Sequence, residues 1–303
     1  MTPGECDSEI AVDLAGVTKT FRGKAAVSDL SLQIPNGTIF GFIGPNGSGK
    51  TTTIRMMMGL LPSDSGTIRV LGHDPAERPL RQRVGYVPEQ HFIYRWMRVR
   101  EVIRFCRAMY DTWNDRLCQD LLGQFELPLE IKVKHLSKGM LVKLALLAAV
   151  AHEPELLVLD EPTSGLDPIV REEFLDGVLR TACGKGQTVF FSSHNLQDVQ
   201  RMADSVGIIF AGRLLCHNSV DGLLTRTKRI RLFLEEGHLP ADLADGVFCR
   251  HIRPRECTLT IAEFGPDVLE RLNGYAGVQV LEVADVSLEE IFKDYVMGRR
   301  AEA

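Results

Sequence analysis

One segment constrains this chain more than any other: Gly44-Pro45-Asn46-Gly47-Ser48-Gly49-Lys50-Thr51. It matches G-x-x-x-x-G-K-[ST] at every defined position. A short apolar run, residues 38–43, precedes it, and a stretch of helical spacing, residues 52–61, follows it. Glycines let the backbone curl until several N–H groups face one anion. The helix that begins there adds the positive end of its dipole. Lys50 can reach the β and γ phosphates of a nucleotide, and the Thr51 hydroxyl can hold Mg²⁺. Residues 44–51 with Thr52 are therefore the candidate phosphate cradle. Strand, glycine loop, helix is the context such a cradle requires.

A second motif answers the first. Leu156-Leu157-Val158-Leu159 is an aliphatic run ending in Asp160-Glu161. Four aliphatics bury a strand between helical layers. Its end delivers Asp160 towards the cation, and Glu161, one step on, can polarise a water against the γ phosphate. Residues 188–191 and 206–210 read as two more buried strands, with helices fitting between. The pattern is an α/β core with a largely parallel sheet.

Around that core the texture changes twice. Before the loop, Leu30, Leu32 and Ile34 alternate with polar residues as in a half-buried strand, so the amino-terminal part is β-rich. Residues 91–150 repeat apolar side chains at helical spacing (Val102, Phe105, Cys106, Met109) and read as a mostly helical insertion. Beyond about residue 220, strands at 230–234 and 257–261, a helix at 268–272 and a closing helix capped by Ser287 and Glu290 suggest a small α+β domain. The expected organisation is a nucleotide-binding domain over 1–220 and an accessory domain over 221–303.

Five elements in one order now carry a resemblance. Phe21 follows Thr18-Lys19-Thr20. The phosphate loop comes next. Leu136-Ser137-Lys138-Gly139-Met140 is similar to the Leu-Ser-Gly-Gly-Gln signature. Ser164-Gly165-Leu166-Asp167 resembles the D-loop, and His194 stands where a switch histidine would. With Asp160-Glu161, these resemble the ATP-binding subunits of ABC transporters, in particular the ABC-2 type exporters that share a Ser-Lys-Gly-Met signature. The resemblance implies a P-loop NTPase fold and MgATP hydrolysis. It implies a head-to-tail dimer with a second copy, or a homologous ATPase subunit, and a polytopic membrane permease that holds the chain at the cytoplasmic face of the membrane. Glu161 and His194 are then the catalytic pair. Thr51, Asp160 and Glu89 serve the metal. Phe21 stacks on adenine, or is a core aromatic. Ser137, Gly139 and Asp167 meet the nucleotide from the opposite subunit. A serine-led helix start is a ready γ-phosphate site.

The departures from the family pattern are specific. Lys138 replaces a glycine and is expected to lend charge to the nucleotide or to point to solvent, the latter favoured. Met140 replaces glutamine and cannot make its amide hydrogen bonds. In Gly85-Tyr86-Val87-Pro88-Glu89-Gln90, either Glu89 or Gln90 can supply the Q-loop oxygen. Extended backbone turns adjacent side chains apart, which favours Glu89. Phe92, Tyr94, Trp96 and Met97, with Arg95, Arg98 and Arg100, form an aromatic and basic cluster of the kind enriched at protein interfaces.

Composition narrows the alternatives. The net charge is −5, so wholesale nucleic-acid binding is disfavoured. The 7 cysteines include no C-x-x-C pair and read as reduced thiols. No apolar run approaches the roughly 20 residues of a membrane span. A ribosome-associated ATPase with two cassettes disagrees with the single set of motifs here, and a DNA-repair type with a long coiled coil disagrees with the length between Thr51 and Leu136. A non-hydrolysing sensor disagrees with the presence of Glu161.

Overall fold

The computed structural model describes residues 9–90, 93–182, 186–235, 247–252 and 255–302. Cys6, Phe92 and Cys183 lie outside the described residues, as does the side chain of Cys249. The chain divides into two compact units, Met1–His217 and Asn218–Ala303.

In the first unit, β1 (Ile10–Phe21) and β2 (Lys24–Pro35) form an antiparallel hairpin. The alternation read in the sequence sends Val12, Leu14, Leu30, Leu32 and Ile34 inward. β3 (Ile39–Ile43) leads into the glycine loop and α1 (Lys50–Met57). The helix begins two residues earlier than its apolar spacing suggests, because the loop itself supplies the first turn. β4 (Ser65–Val70) returns to pair antiparallel with β1 and completes a three-stranded sheet.

After α2 (Leu80–Arg83) and β5 (Val84–Val87) comes the helical insertion: α3 (Val99–Met109), α4 (Asp115–Gln124) and α5 (Lys138–Val150). Asn114 caps α4 by accepting the Leu117 N–H at 2.9 Å. The α3 stripe is only partly core: Val102 is buried, whereas Phe105 and Met109 are exposed. α5 is apolar almost all round because it is enclosed; Lys143, its buried cation, reaches Glu173 at 2.5 Å.

The chain then alternates β6 (Leu156–Asp160), α6 (Pro168–Ala182), β7 (Thr188–Ser193), α7 (Leu196–Met202), β8 (Ser205–Phe210) and β9 (Arg213–Ser219). The resulting sheet has the order β5-β6-β7-β3-β8-β9, with β5–β6, β6–β7, β7–β3 and β3–β8 all parallel. β3 and β6 therefore flank β7. Their carboxyl ends, which carry the glycine loop and the acidic pair, open on one rim.

The second unit holds α8 (Val220–Arg226), β10 (Lys228–Leu234), β11 (Val247–Ile252), β12 (Glu256–Ile261), α9 (Pro266–Gly274), β13 (Val278–Asp285) and α10 (Leu288–Glu302). Its antiparallel sheet runs β11-β12-β10-β13 over a core of Ile230, Leu232, Leu259, Ile261, Val268 and Leu272. The Ser287–Glu290 capping box forms: Glu290 accepts the Ser287 N–H at 3.0 Å and Ser287 Oγ accepts the Glu290 N–H at 3.3 Å. The basic residues at 226–231 are absorbed by acids. Arg226 meets Glu263, Lys228 meets Asp285, Arg231 meets Glu282, and Arg229 holds Glu290 and Asp294 at 2.7 and 2.6 Å.

His152, just past α5, is 1% exposed and stacks on Tyr110 with ring centroids 3.8 Å apart. Burial pushes its pKa down to about 4 from 6.5. A depressed histidine contributes stability that is complete above its unfolded pKa and lost as pH falls towards the folded one. Lowering the pH from 6.5 to 4 should therefore remove about 3 kcal/mol through this residue. His152→Phe keeps the stack and should flatten that part of the stability curve, as measured by denaturant unfolding across pH. Parallel wild-type and variant curves would refute the assignment.

Candidate functional site

The glycine loop is shaped by close approach. A Cβ on Gly44 would sit 2.3 Å from the Ile209 carbonyl oxygen of β8. Gly49 adopts φ +113, and a Cβ there would meet the Ala26 carbonyl at 2.6 Å. Gly49 is also the N-cap of α1 and offers no side-chain cap. The leading N–H groups of α1 are thus left for an anion. Ser48 Oγ is buried beside them without a hydrogen-bond partner.

Lys50 is buried and held inward. Its Nζ donates to the Gly44 carbonyl at 2.6 Å and lies 3.0 Å from Glu161 Oε1. Glu161 takes φ +46, which a non-glycine residue rarely adopts; the turn at the end of β6 swings its carboxylate out of the strand direction. Its Oε2 lies 2.6 Å from His194 Nδ1 and accepts the His194 N–H at 3.3 Å. One carboxylate therefore bridges the loop lysine and the histidine after β7.

Asp160 is 1% exposed. Its Oδ1 accepts from Thr51 Oγ1 at 3.1 Å and from Ser192 Oγ at 2.8 Å. Burial raises its pKa; the two hydroxyls oppose the rise, and the charges of Glu89 and Glu161 add to it. The donor set fits a divalent cation on chemistry alone: a hydroxyl and carboxylates, all hard oxygens, with acids in excess of the one lysine.

Lys50, Thr51, Glu161 and His194 open on a cleft of about 440 Å³, lined also by Phe21, Asn46, Gly47, Thr52 and Ser164, while Asp160 lies buried behind Thr51 and is not among the lining residues. Glu89 lines it, and Gln90 is not among the lining residues. Phe21 is 47% exposed, so it is not a core aromatic, and Lys19 Nζ stands 5.8 Å from its ring centre. Pro45 contributes its carbonyl, 3.4 Å from Lys50 Nζ.

Ser137, Gly139 and Asp167 are not brought to this cleft. Ser137 Oγ caps α5 by accepting the Met140 N–H at 3.1 Å. A Cβ on Gly139 would sit 2.6 Å from Val170 Cγ1, so the packing of α5 on α6 by itself favours a glycine there. Asp167 Oδ1 accepts the Val170 N–H at 3.1 Å at the start of α6. Lys138 is exposed, and its Nζ also donates to the Ser164 carbonyl at 2.6 Å. Ser192 went unnoticed in the sequence. It donates to Asp160 and accepts the Glu161 N–H at 2.9 Å, orienting both acids at once. Its signal was a hydroxyl at the end of an apolar strand, immediately before Ser193 and His194.

Comparison with known proteins places these features in company. The family model described as "ABC transporter" matches residues 27–164. A Nod factor export ATP-binding protein I from Rhizobium sp. (strain N33) is 32% identical over 297 residues, covering 94% of this chain and 96% of the relative. A solved ATP-binding subunit of an ABC transporter superposes with a TM-score of 0.64 at 28% identity, over 70% of this chain and 91% of that one. A dimeric ATP-binding cassette in a post-hydrolysis state with ADP and Pi shares the fold, with a TM-score of 0.62 at 21% identity over 69% and 98% of the two chains.

A buried carboxylate with a raised pKa weakens the fold as pH rises through its unfolded and then its folded pKa. Asp160→Asn removes the charge and keeps an oxygen for both hydroxyls. It should raise the melting temperature of the nucleotide-free protein by a few degrees, while turnover falls about 100-fold or more. Calorimetry and a phosphate-release assay check the two halves; a lower melting temperature would contradict the electrostatic account.

Proposed function

The chain belongs to the ABC transporter ATP-binding proteins, a family of ATPases, and from that premise we propose that two copies hydrolyse MgATP between them and drive a separate membrane-spanning permease. The observation that carries the reading is the bridging position of Glu161, between the loop lysine and the histidine.

The resting contacts suggest the order of events. Without nucleotide, Lys50 neutralises Glu161. A triphosphate in the cradle offers Lys50 a stronger anionic partner, and Glu161 Oε1 becomes free to accept a proton from water. With Glu161 ionised, His194 Nδ1 carries its hydrogen towards that carboxylate, which fixes the ring and turns Nε2 to the cleft. Neutral, the ring accepts there from a water; protonated, it donates to phosphate. Thr51, Asp160 and Glu89 are the side chains that would hold Mg²⁺, which neutralises developing charge on the phosphates. Residues 44–52 hold the phosphates, and Phe21 offers a face to the base.

The second copy accounts for what the cleft lacks. Ser137 is exposed at the start of the 13-residue α5, a site suited to an anion, yet it does not line its own chain's cleft. A γ phosphate held by the other copy would satisfy it, with Gly139 and Asp167 beside it. Loss of that phosphate would then release the pair.

A permease partner is supported by the surface of the helical insertion. Tyr86, Tyr94, Met97, Val102 and Phe105 line a groove of about 250 Å³. Tyr94 and Phe105 meet edge to face at 5.9 Å, and Trp96 is 65% exposed. An aromatic groove suits an inserted helix. Arg100 pairs with Glu130 at 2.5 Å and Arg98 also bonds there, so aromatic surface more than free positive charge would recognise the partner. No helix among the described residues is long and apolar enough to cross a membrane. The permease would therefore hold the chain at the cytoplasmic face of the membrane. Similarity to a Nod factor export protein favours export.

Glu161→Gln should bind ATP more tightly, because Lys50 loses its competing carboxylate, and hydrolyse it about 100-fold or more slowly. Sedimentation with MgATP should then show a trapped dimer; normal turnover would remove Glu161 as the base. Phe105→Asp should leave the ATPase activity of the isolated chain intact and abolish co-purification with a polytopic permease. Retained co-purification would move the docking site elsewhere.

A further inference from the structure

Lys138 opens α5, where a cation opposes the helix dipole. Its side chain is exposed yet makes one defined contact. Nζ donates to the Ser164 carbonyl at 2.6 Å, and a Cβ on Gly165 would come within 2.6 Å of the same nitrogen. The exposed side chain lays its ammonium against Ser164 and Gly165. That loop begins three residues after Glu161, and Ser164 lines the cleft.

The residues around the loop are held by other contacts. Gly139 packs on Val170, and Lys143 pairs with Glu173, so α5 and α6 are fastened together. Before the loop, Thr163 Oγ1 donates to Asp198 Oδ2 at 2.7 Å, and Arg171 Nε holds the other oxygen of Asp198 at 2.6 Å. After it, Asp167 caps α6. Among the described hydrogen bonds, Lys138 to Ser164 is the one that ties the loop to the tip of α5.

We propose that Lys138 is a positioning residue that couples the two nucleotide sites of the dimer. By tying residues 164–167 to the start of α5, it makes the loop beside one nucleotide and the helix tip serving the other move as one body. A glycine, the residue this signature usually carries there, has no group to make the tie. The inference rests on the dimer reading above.

The test uses full-length protein. In a Glu161→Gln background with MgATP, sedimentation should give a dimer whose Kd rises about tenfold on Lys138→Met, the scale of one lost charge-assisted hydrogen bond. Lys138→Arg should restore it. With Glu161 present, Lys138→Met should lower the Hill coefficient for ATP towards one and leave the nucleotide affinity of the dilute monomer unchanged. A purely structural lysine would move neither the Hill coefficient nor the Arg rescue. The Met effect should persist at about 0.5 M salt, where long-range charge is screened; an effect erased by salt overturns the tie in favour of simple charge. If Glu161→Gln dimerises and Lys138→Met changes neither Kd nor Hill coefficient, the coupling is wrong and the dimer stands. If Glu161→Gln stays monomeric, both fall. Should Lys138→Met fold poorly, Lys138→Gly serves in its place.

Discussion

The site turns on one buried ion pair. Lys50 and Glu161, 5% and 9% exposed, stand 3.0 Å apart with little water to share their charge. Neither is comfortable alone in such a place: a buried charge without a partner costs several kcal/mol. The fold brings them together through strand order. β3 and β6 are separated by β7 in the parallel sheet, so a lysine at the start of α1 and a glutamate just past β6 arrive on the same rim. In the proposed reaction, a ligand that takes the lysine would leave the carboxylate with His194 alone and its Oε1 open to water. Binding and activation would then be one electrostatic event.

The same logic explains the hydroxyls around Asp160. Thr51 and Ser192 both donate to Oδ1 and keep the buried acid oriented without neutralising it. Full neutralisation by a lysine or arginine would leave no appetite for a cation. Partial satisfaction leaves the acid in place and in deficit, and its raised pKa is the mark of that deficit.

Much of this was legible in the residues because the features were local. The glycine loop, the aliphatic run into Asp160-Glu161 and the alternation of β2 each depend on neighbours within a few positions. The Ser287–Glu290 box was legible for the same reason. What escaped depended on contacts distant in the chain. Lys138 reaches a carbonyl 26 residues away, and no pattern around it distinguishes that from a lysine in water. Ser192 acts on residues 31 and 32 positions earlier in the chain. The α3 stripe was correctly periodic yet overstated the core: periodicity shows that one face is apolar, and Phe105 and Met109 show that an apolar face need not be buried within its own chain.

Gly139 illustrates a further point about reading motifs. Its place in the signature suggests a phosphate contact, yet Val170 by itself already crowds a side chain there. The two demands are compatible, and they are connected. Tight α5–α6 packing is what allows Lys138 to reach Ser164, because a side chain at 139 would push the helix tip away from the loop. On the dimer reading, Gly139 would serve the nucleotide by its bare backbone and the core by its lack of volume, which leaves communication to its neighbour Lys138.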